Sequence, residues 1–124
     1  MIFFYGETPD GWGIPGIHGM WAEDELDGYV QGAVYLIRGE GESLLIDSGN
    51  ATLPEYGNGM GDFLIDKLDQ EKNRLKYLLI THFHYDHTGN AARIRERYGC
   101  EVLCHPVDRP VIEDPMIVTW AENV

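Results

Sequence analysis

The chain has 124 residues, 44% of them hydrophobic and 24% charged, which suits one folded domain and excludes a disordered chain. Nine basic against twenty-one acidic residues give a net charge of −12, and such a surface repels a phosphate backbone, so no nucleic-acid partner is expected. No apolar run reaches membrane-span length, and the opening Met1-Ile2-Phe3-Phe4-Tyr5-Gly6-Glu7 lacks the basic start and long apolar core of a signal peptide, so the expectation is a cytoplasmic protein with no membrane partner.

Residues 1–29 are rich in Gly and acids and carry weak strand character, with 14–20 reading as an early strand or a loop. The first firm element is a strand over 30–38. The turn signal Gly39-Glu40-Gly41-Glu42 and a second strand over 43–47 complete a β-hairpin. Residues 48–61 are loop-like, and Gly57-x-Gly59-x-Gly61 lacks the spacing of a dinucleotide fingerprint. A short helix is predicted over 60–68, with Met60, Phe63, Leu64 and Leu68 on its apolar face and Asp62 as a cap.

A buried strand follows over 75–80, then a helix over 90–98 with Ala91, Ile94 and Tyr98 inward and Gly99 as its stop. Arg93, Arg95 and Arg97 read as a solvated face with local ion pairs. A short strand over 101–104 comes next. Strand, helix, strand, helix, strand from residue 43 onward predicts an α/β arrangement with parallel pairing. Cys100 and Cys104, four apart in extended chain, would stand roughly 13 Å apart, too far for a disulfide. They read as buried thiols.

One segment concentrates chemistry: Thr81-His82-Phe83-His84-Tyr85-Asp86-His87-Thr88-Gly89-Asn90. Three of the five histidines fall within six residues, with an aspartate among them. The cluster directly follows an apolar strand, and ligands gather at the carboxyl ends of strands in open α/β sheets. His82 and His84, two apart, point the same way in an extended segment and can share one metal. Asp86 and His87 come where the chain must turn into a helix, which can aim them at a second metal. Imidazoles with one carboxylate suit zinc, with iron or manganese as other candidates. Phe83 and Tyr85 are expected to point away into packing.

The segment from Thr81 to Asn90 resembles the His-x-His-x-Asp-His signature of the metallo-β-lactamase superfamily. The hairpin ending Leu45-Ile46-Asp47-Ser48-Gly49 is similar to the family's earlier strand and its terminal aspartate. The resemblance, over most of 30–105, implies an αββα sandwich, of which 1–124 would be a single partial domain: the N-terminal half, a mixed sheet with flanking helices. It implies one or two zinc ions, the first on His82 and His84 and the second on Asp86 and His87. Asp86 would also handle a proton in turnover, and Asp47 would hold the loop or a ligand in orientation by hydrogen bonds.

The implied activity is hydrolysis of a small ester, thioester or lactone by a metal-bound hydroxide. The alternatives are a non-haem iron redox enzyme on the same fold, of the sulfur dioxygenase type, or a non-catalytic half-domain. The family's downstream ligands have no counterpart here. After His87 the chain has one histidine, His105, read as structural or pocket-lining, while His18 reads as a turn or packing residue. A partner is therefore expected beyond the small-molecule substrate: a second copy or a C-terminal half-domain.

Overall fold

The computed structural model describes residues 5–8, 10–14, 33–49 and 61–113. Their strands are β1 (Tyr5–Thr8), β2 (Gly11–Ile14), β3 (Val34–Arg38), β4 (Glu42–Ile46), β5 (Arg74–Leu79) and β6 (Glu101–Leu103). The helices are α1 (Gly61–Asp69), α2 (Tyr85–Thr88), α3 (Ala91–Tyr98) and α4 (Arg109–Glu113). The six strands form one sheet in chain order. Pairing is antiparallel from β1 to β4 and parallel from β4 through β5 to β6. The parallel half matches the alternation read from the sequence, because parallel neighbours need a crossover and α1 and α3 supply them.

Side chains alternate along each strand, so pairing register decides what each face carries. Trp12, Leu36, Leu45, Leu78 and Val102 are successive partners across five strands. They pack with Leu64, Ile65 and Leu68 of α1 and Ala91 and Ile94 of α3 in one core. On the other parity lie two adjacent apolar rows: Tyr35, Ile46, Leu79 and Leu103, and Ile37, Leu44 and Tyr77. Tyr35, Ile37 and Leu103 are exposed, and the other four are half-buried. Both faces of the sheet are therefore apolar. Gly11 is required by close approach: its φ is 154°, and a Cβ there would fall on the Leu36 carbonyl oxygen.

Polar ties fasten the helical layer. Glu71, after α1, accepts from Arg38 Nε at 2.8 Å, from Arg38 Nη2 at 2.6 Å and from Trp12 Nε1 at 2.9 Å. Asp69 accepts from Arg97 and from the Tyr98 hydroxyl, and Arg93 pairs with Asp62 at 2.8 Å. Arg93 and Arg97 thus join α3 to α1 rather than pairing locally along their own helix. Asp62 is engaged in that bridge within the first turn of α1.

Several boundaries differ from expectation. β3 begins at Val34, not at 30, and residues 30–32 lie outside the described residues, as do most of 14–20, all of 50–60, Met60 and His18. On α1 Phe63 is exposed and Ile65 is buried, because the sheet-facing stripe runs through Leu64, Ile65 and Leu68. α3 keeps its predicted inward residues and ends at Gly99 with φ 67°. Cys100 and Cys104 flank β6 and are free, and Cys104 is only half-buried. No helix of the described residues is long and apolar enough to cross a membrane.

Candidate metal centre

The site is built where β4 and β5 end side by side. Asp47 follows β4 and turns the chain with φ 63°, a left-handed conformation uncommon for a residue with a Cβ. Its own N–H donates to the Leu79 carbonyl at 2.8 Å, which fixes the turn against β5. The residue is only 3% exposed. Oδ1 accepts the Thr81 N–H at 2.8 Å. Oδ2 accepts the Thr81 hydroxyl at 2.7 Å and stands 2.8 Å from His87 Nδ1. A buried carboxylate needs such donors, and three converge on it.

The next residue binds the same loop from below. Ser48 is fully buried, and both its N–H and its hydroxyl donate to the His87 carbonyl at 2.8 Å. Its Oγ accepts the Asn90 N–H at 3.2 Å, and Asn90 Nδ2 donates to the Ser48 carbonyl at 2.8 Å. Gly89 N–H donates to the Gly49 carbonyl. Residues 47–49 are therefore laced to 81–90. The motif spacing assigns no role to Thr81, Ser48 or Asn90. The only sequence signal for them is that they border the histidine cluster and the Asp47 turn.

Between Thr81 and Asn90 the chain forms a bend and then α2, a single turn that the sequence pattern did not predict because it carries no apolar periodicity. Residues 81–83 bend instead of running extended. The His82 and His84 rings meet edge to face with centroids 4.8 Å apart, and His82 lies 4.1 Å from the His87 ring. The Phe83 ring is half-buried against His84 at 4.8 Å. The side chain of Tyr85 lies outside the described residues. His105 sits just beyond β6, exposed, with Nδ1 accepting the Val107 N–H at 3.2 Å.

Charge is distributed unevenly over the cluster. Burial lowers the pKa of His87, but the hydrogen bonds to Asp47 and Asp86 and their negative charges outweigh it and raise the imidazole to about 9. Burial would raise Asp86, yet the His87 hydrogen bond and charge hold it below the ordinary carboxylate value. His82 is lowered, first by burial and then by its neighbours His87 and His84.

The donor chemistry suits a divalent metal. His87 has Nδ1 engaged by Asp47, and its Nε2 stands 3.4 Å from Asp86 Oδ2. Two ligands each about 2.1 Å from a tetrahedral ion stand about 3.4 Å apart. A histidine whose second nitrogen is tied to a carboxylate is the usual form of a metal-ligating imidazole. Among the described residues, no group of three or more His, Cys, Asp and Glu side chains is placed to hold an ion. Asp86 and His87 make a pair, and His82 and His84 neighbour them without adding a third converging donor.

A model of the metallo-β-lactamase superfamily matches residues 27–124. The hydroxyacylglutathione hydrolase of Pelagibacter ubique is 33% identical over 61 residues, which cover 49% of this chain and 26% of that protein. The protein of the same name from Bradyrhizobium sp. is 44% identical over 46 residues, 37% of this chain and 18% of that one. Among solved structures, the metallo-β-lactamase FIM-1 from Pseudomonas aeruginosa in its mono-zinc form superposes with a TM-score of 0.61 at 17% identity, over 94% of this chain and 46% of that chain. The class B3 di-zinc enzyme LRA-12 from an Alaskan soil metagenome gives 0.56 at 20% identity, over 87% and 34%. The chain thus spans less than half the length of the proteins it matches, and the shared fold is part of theirs.

Proposed function

Because this chain belongs to the metallo-β-lactamase superfamily, we propose that it carries the motif half of a metal-dependent hydrolase for a small ester, thioester or lactone. One observation supports this most: His87 has Nδ1 on the buried Asp47 carboxylate and Nε2 facing Asp86. That carboxylate–histidine–carboxylate line leaves one imidazole nitrogen and one carboxylate for an ion, as a ligand pair requires. The likeness to two hydroxyacylglutathione hydrolases favours a thioester, since an acylglutathione is one.

His82 and His84 would hold one zinc ion and Asp86 and His87 another. Bound there, zinc would supply Lewis acidity, enough to make water a nucleophile near neutral pH. The chain's own residues do the rest. Asp47 fixes the His87 ring, Ser48 and Asn90 hold the backbone that carries it, and Asp86 takes and returns a proton. Two protein ligands per ion among the described residues are fewer than the three a catalytic zinc ordinarily has. The two apolar rows on the sheet's second face suit a packed partner. Both features support a C-terminal half-domain, or a second copy of this chain, as the completing element. On this reading 1–124 is one partial domain of a cytoplasmic enzyme.

Elemental analysis after mild chelation tests the ligand set. The wild type should retain zinc and His84→Ala should retain much less; equal retention sinks the assignment. A panel of thioester, ester and lactone substrates then tests the activity. Iron in protein purified without added metal, with oxygen consumed on a thiol substrate, would replace hydrolysis by the redox reading. Tight metal without turnover of any substrate, even with the completing element added, would leave a non-catalytic half-domain.

A further inference from the structure

Thr81 connects His82 to the carboxylate that already holds His87. Its hydroxyl lies 2.7 Å from Asp47 Oδ2 and 3.0 Å from His82 Nδ1. An ionised carboxylate only accepts, so the single hydroxyl proton of Thr81 goes to Asp47. The Thr81 oxygen is then left with lone pairs, and His82 Nδ1 must be the donor in the remaining bond. In a neutral imidazole this places the one ring proton on Nδ1 and leaves Nε2 as the free lone pair. His87 Nδ1 meets the same Oδ2 directly at 2.8 Å. Both rings are bound at Nδ1, and both present Nε2.

We infer that Thr81 is a positioning residue. Through it, the single carboxylate of Asp47 selects the Nδ1–H tautomer of His82 as well as engaging Nδ1 of His87, so that both imidazoles offer Nε2 to a metal. The inference rests on the zinc reading above for what the two nitrogens do, but the tautomer itself is a property of the metal-free protein. The placement explains why a threonine suits this position. Its N–H reaches Asp47 Oδ1 at 2.8 Å while its hydroxyl spans to the other oxygen, so one residue grips both oxygens of the carboxylate and still has an acceptor for the neighbouring ring. Ser48 holds the His87 carbonyl, and Asn90 in turn holds Ser48. The hydroxyl that meets both the Asp47 carboxylate and His82 Nδ1 is that of Thr81.

Two substitutions separate the hydroxyl from the shape. Thr81→Val keeps the β-branch and the N–H bond to Asp47 and removes the oxygen, whereas Thr81→Ser keeps the oxygen. The readouts are the ring nitrogen shifts of His82 by nitrogen-15 NMR in metal-free protein, and zinc affinity by competition with a chromophoric chelator. In the wild type and in Thr81→Ser, His82 should show a protonated Nδ1 and a bare Nε2. In Thr81→Val that signature should be lost and zinc affinity should fall between about tenfold and a hundredfold, the range for lost outer partners of metal ligands, while the bond from His87 Nδ1 to Asp47 stays. A wild-type His82 protonated at Nε2 overturns the inference even if the valine variant fails to fold. So do unchanged His82 shifts and unchanged zinc affinity in a folded Thr81→Val, and that result leaves the zinc reading standing. Wild-type protein with the expected His82 tautomer but no zinc affinity would overturn the zinc reading and keep the tautomer assignment.

Discussion

Asp47 and His87 stand 40 residues apart in the chain, yet Oδ2 of one lies 2.8 Å from Nδ1 of the other. The contact exists because β4 and β5 are parallel neighbours whose carboxyl ends coincide, with Ile46 in register with Leu79. Asp47 stands there in a left-handed conformation, and its carboxylate meets the chain that follows β5 at Thr81 and His87.

Asp47→Asn separates charge from backbone strain, because asparagine tolerates the left-handed conformation. The variant loses the ionised acceptor that gathers Thr81 and His87. Metal-free protein should lose about 2 kcal/mol, the scale of hydrogen bonds to a charged group. Urea unfolding measures this, and stability equal to wild type would show that the three bonds contribute nothing net.

Asp86→Asn keeps the shape of the side chain and removes its basic oxygen. Turnover by the completed enzyme should fall about a hundredfold, the range of a positioned acid–base group. Fold content by circular dichroism should not change. Steady-state kinetics with a thioester decide it, and an unchanged rate would take Asp86 out of the reaction.

Glu71 gives a dependence on pH. Arg38 lowers its carboxyl pKa by hydrogen bonding, burial opposes this, and the Trp12 N–H adds to the lowering. The folded state therefore holds this proton less tightly than the unfolded chain does. The stabilisation is complete above the ordinary value of 4.5 and is lost as pH falls through the lower folded value. Melting temperatures taken down an acid series should drop more steeply for the wild type than for Glu71→Gln; parallel curves would contradict the coupling.

The second sheet face predicts association. Ile37 and Tyr35 are 48% and 44% exposed and continue into Leu44, Ile46, Tyr77, Leu79 and Leu103 across the sheet. The isolated chain should sediment above its monomer mass, and Ile37→Lys should shift it toward monomer. A wild-type monomer at high concentration would remove this face as a self-association surface.

Gly99 ends α3 with φ 67° and open space around it. Gly99→Ala meets no neighbour, so its cost should be the conformational one alone, about 1 kcal/mol. Chemical denaturation reads it directly.

What the amino-acid sequence determines by itself is local. The apolar run ahead of the histidines makes β5, the turn signal at residues 39–42 makes the β3–β4 hairpin, and Gly99 stops α3, because each depends on neighbours within a few residues. The two-residue spacing of His82 and His84 and the adjacency of Asp86 and His87 likewise name the metal-type side chains with no fold in hand. Tertiary structure decides the rest. Periodicity on α1 favoured Phe63 for the core, but the sheet faces Leu64, Ile65 and Leu68. The α2 turn is held by its end contacts, since the His87 carbonyl is bound from Ser48 on another strand's end. Thr81 is an ordinary threonine until β4 and β5 are laid side by side. Only parallel pairing brings the Asp47 carboxylate to its hydroxyl, and a hydrogen bond between residues 34 positions apart leaves no periodic trace in a chain.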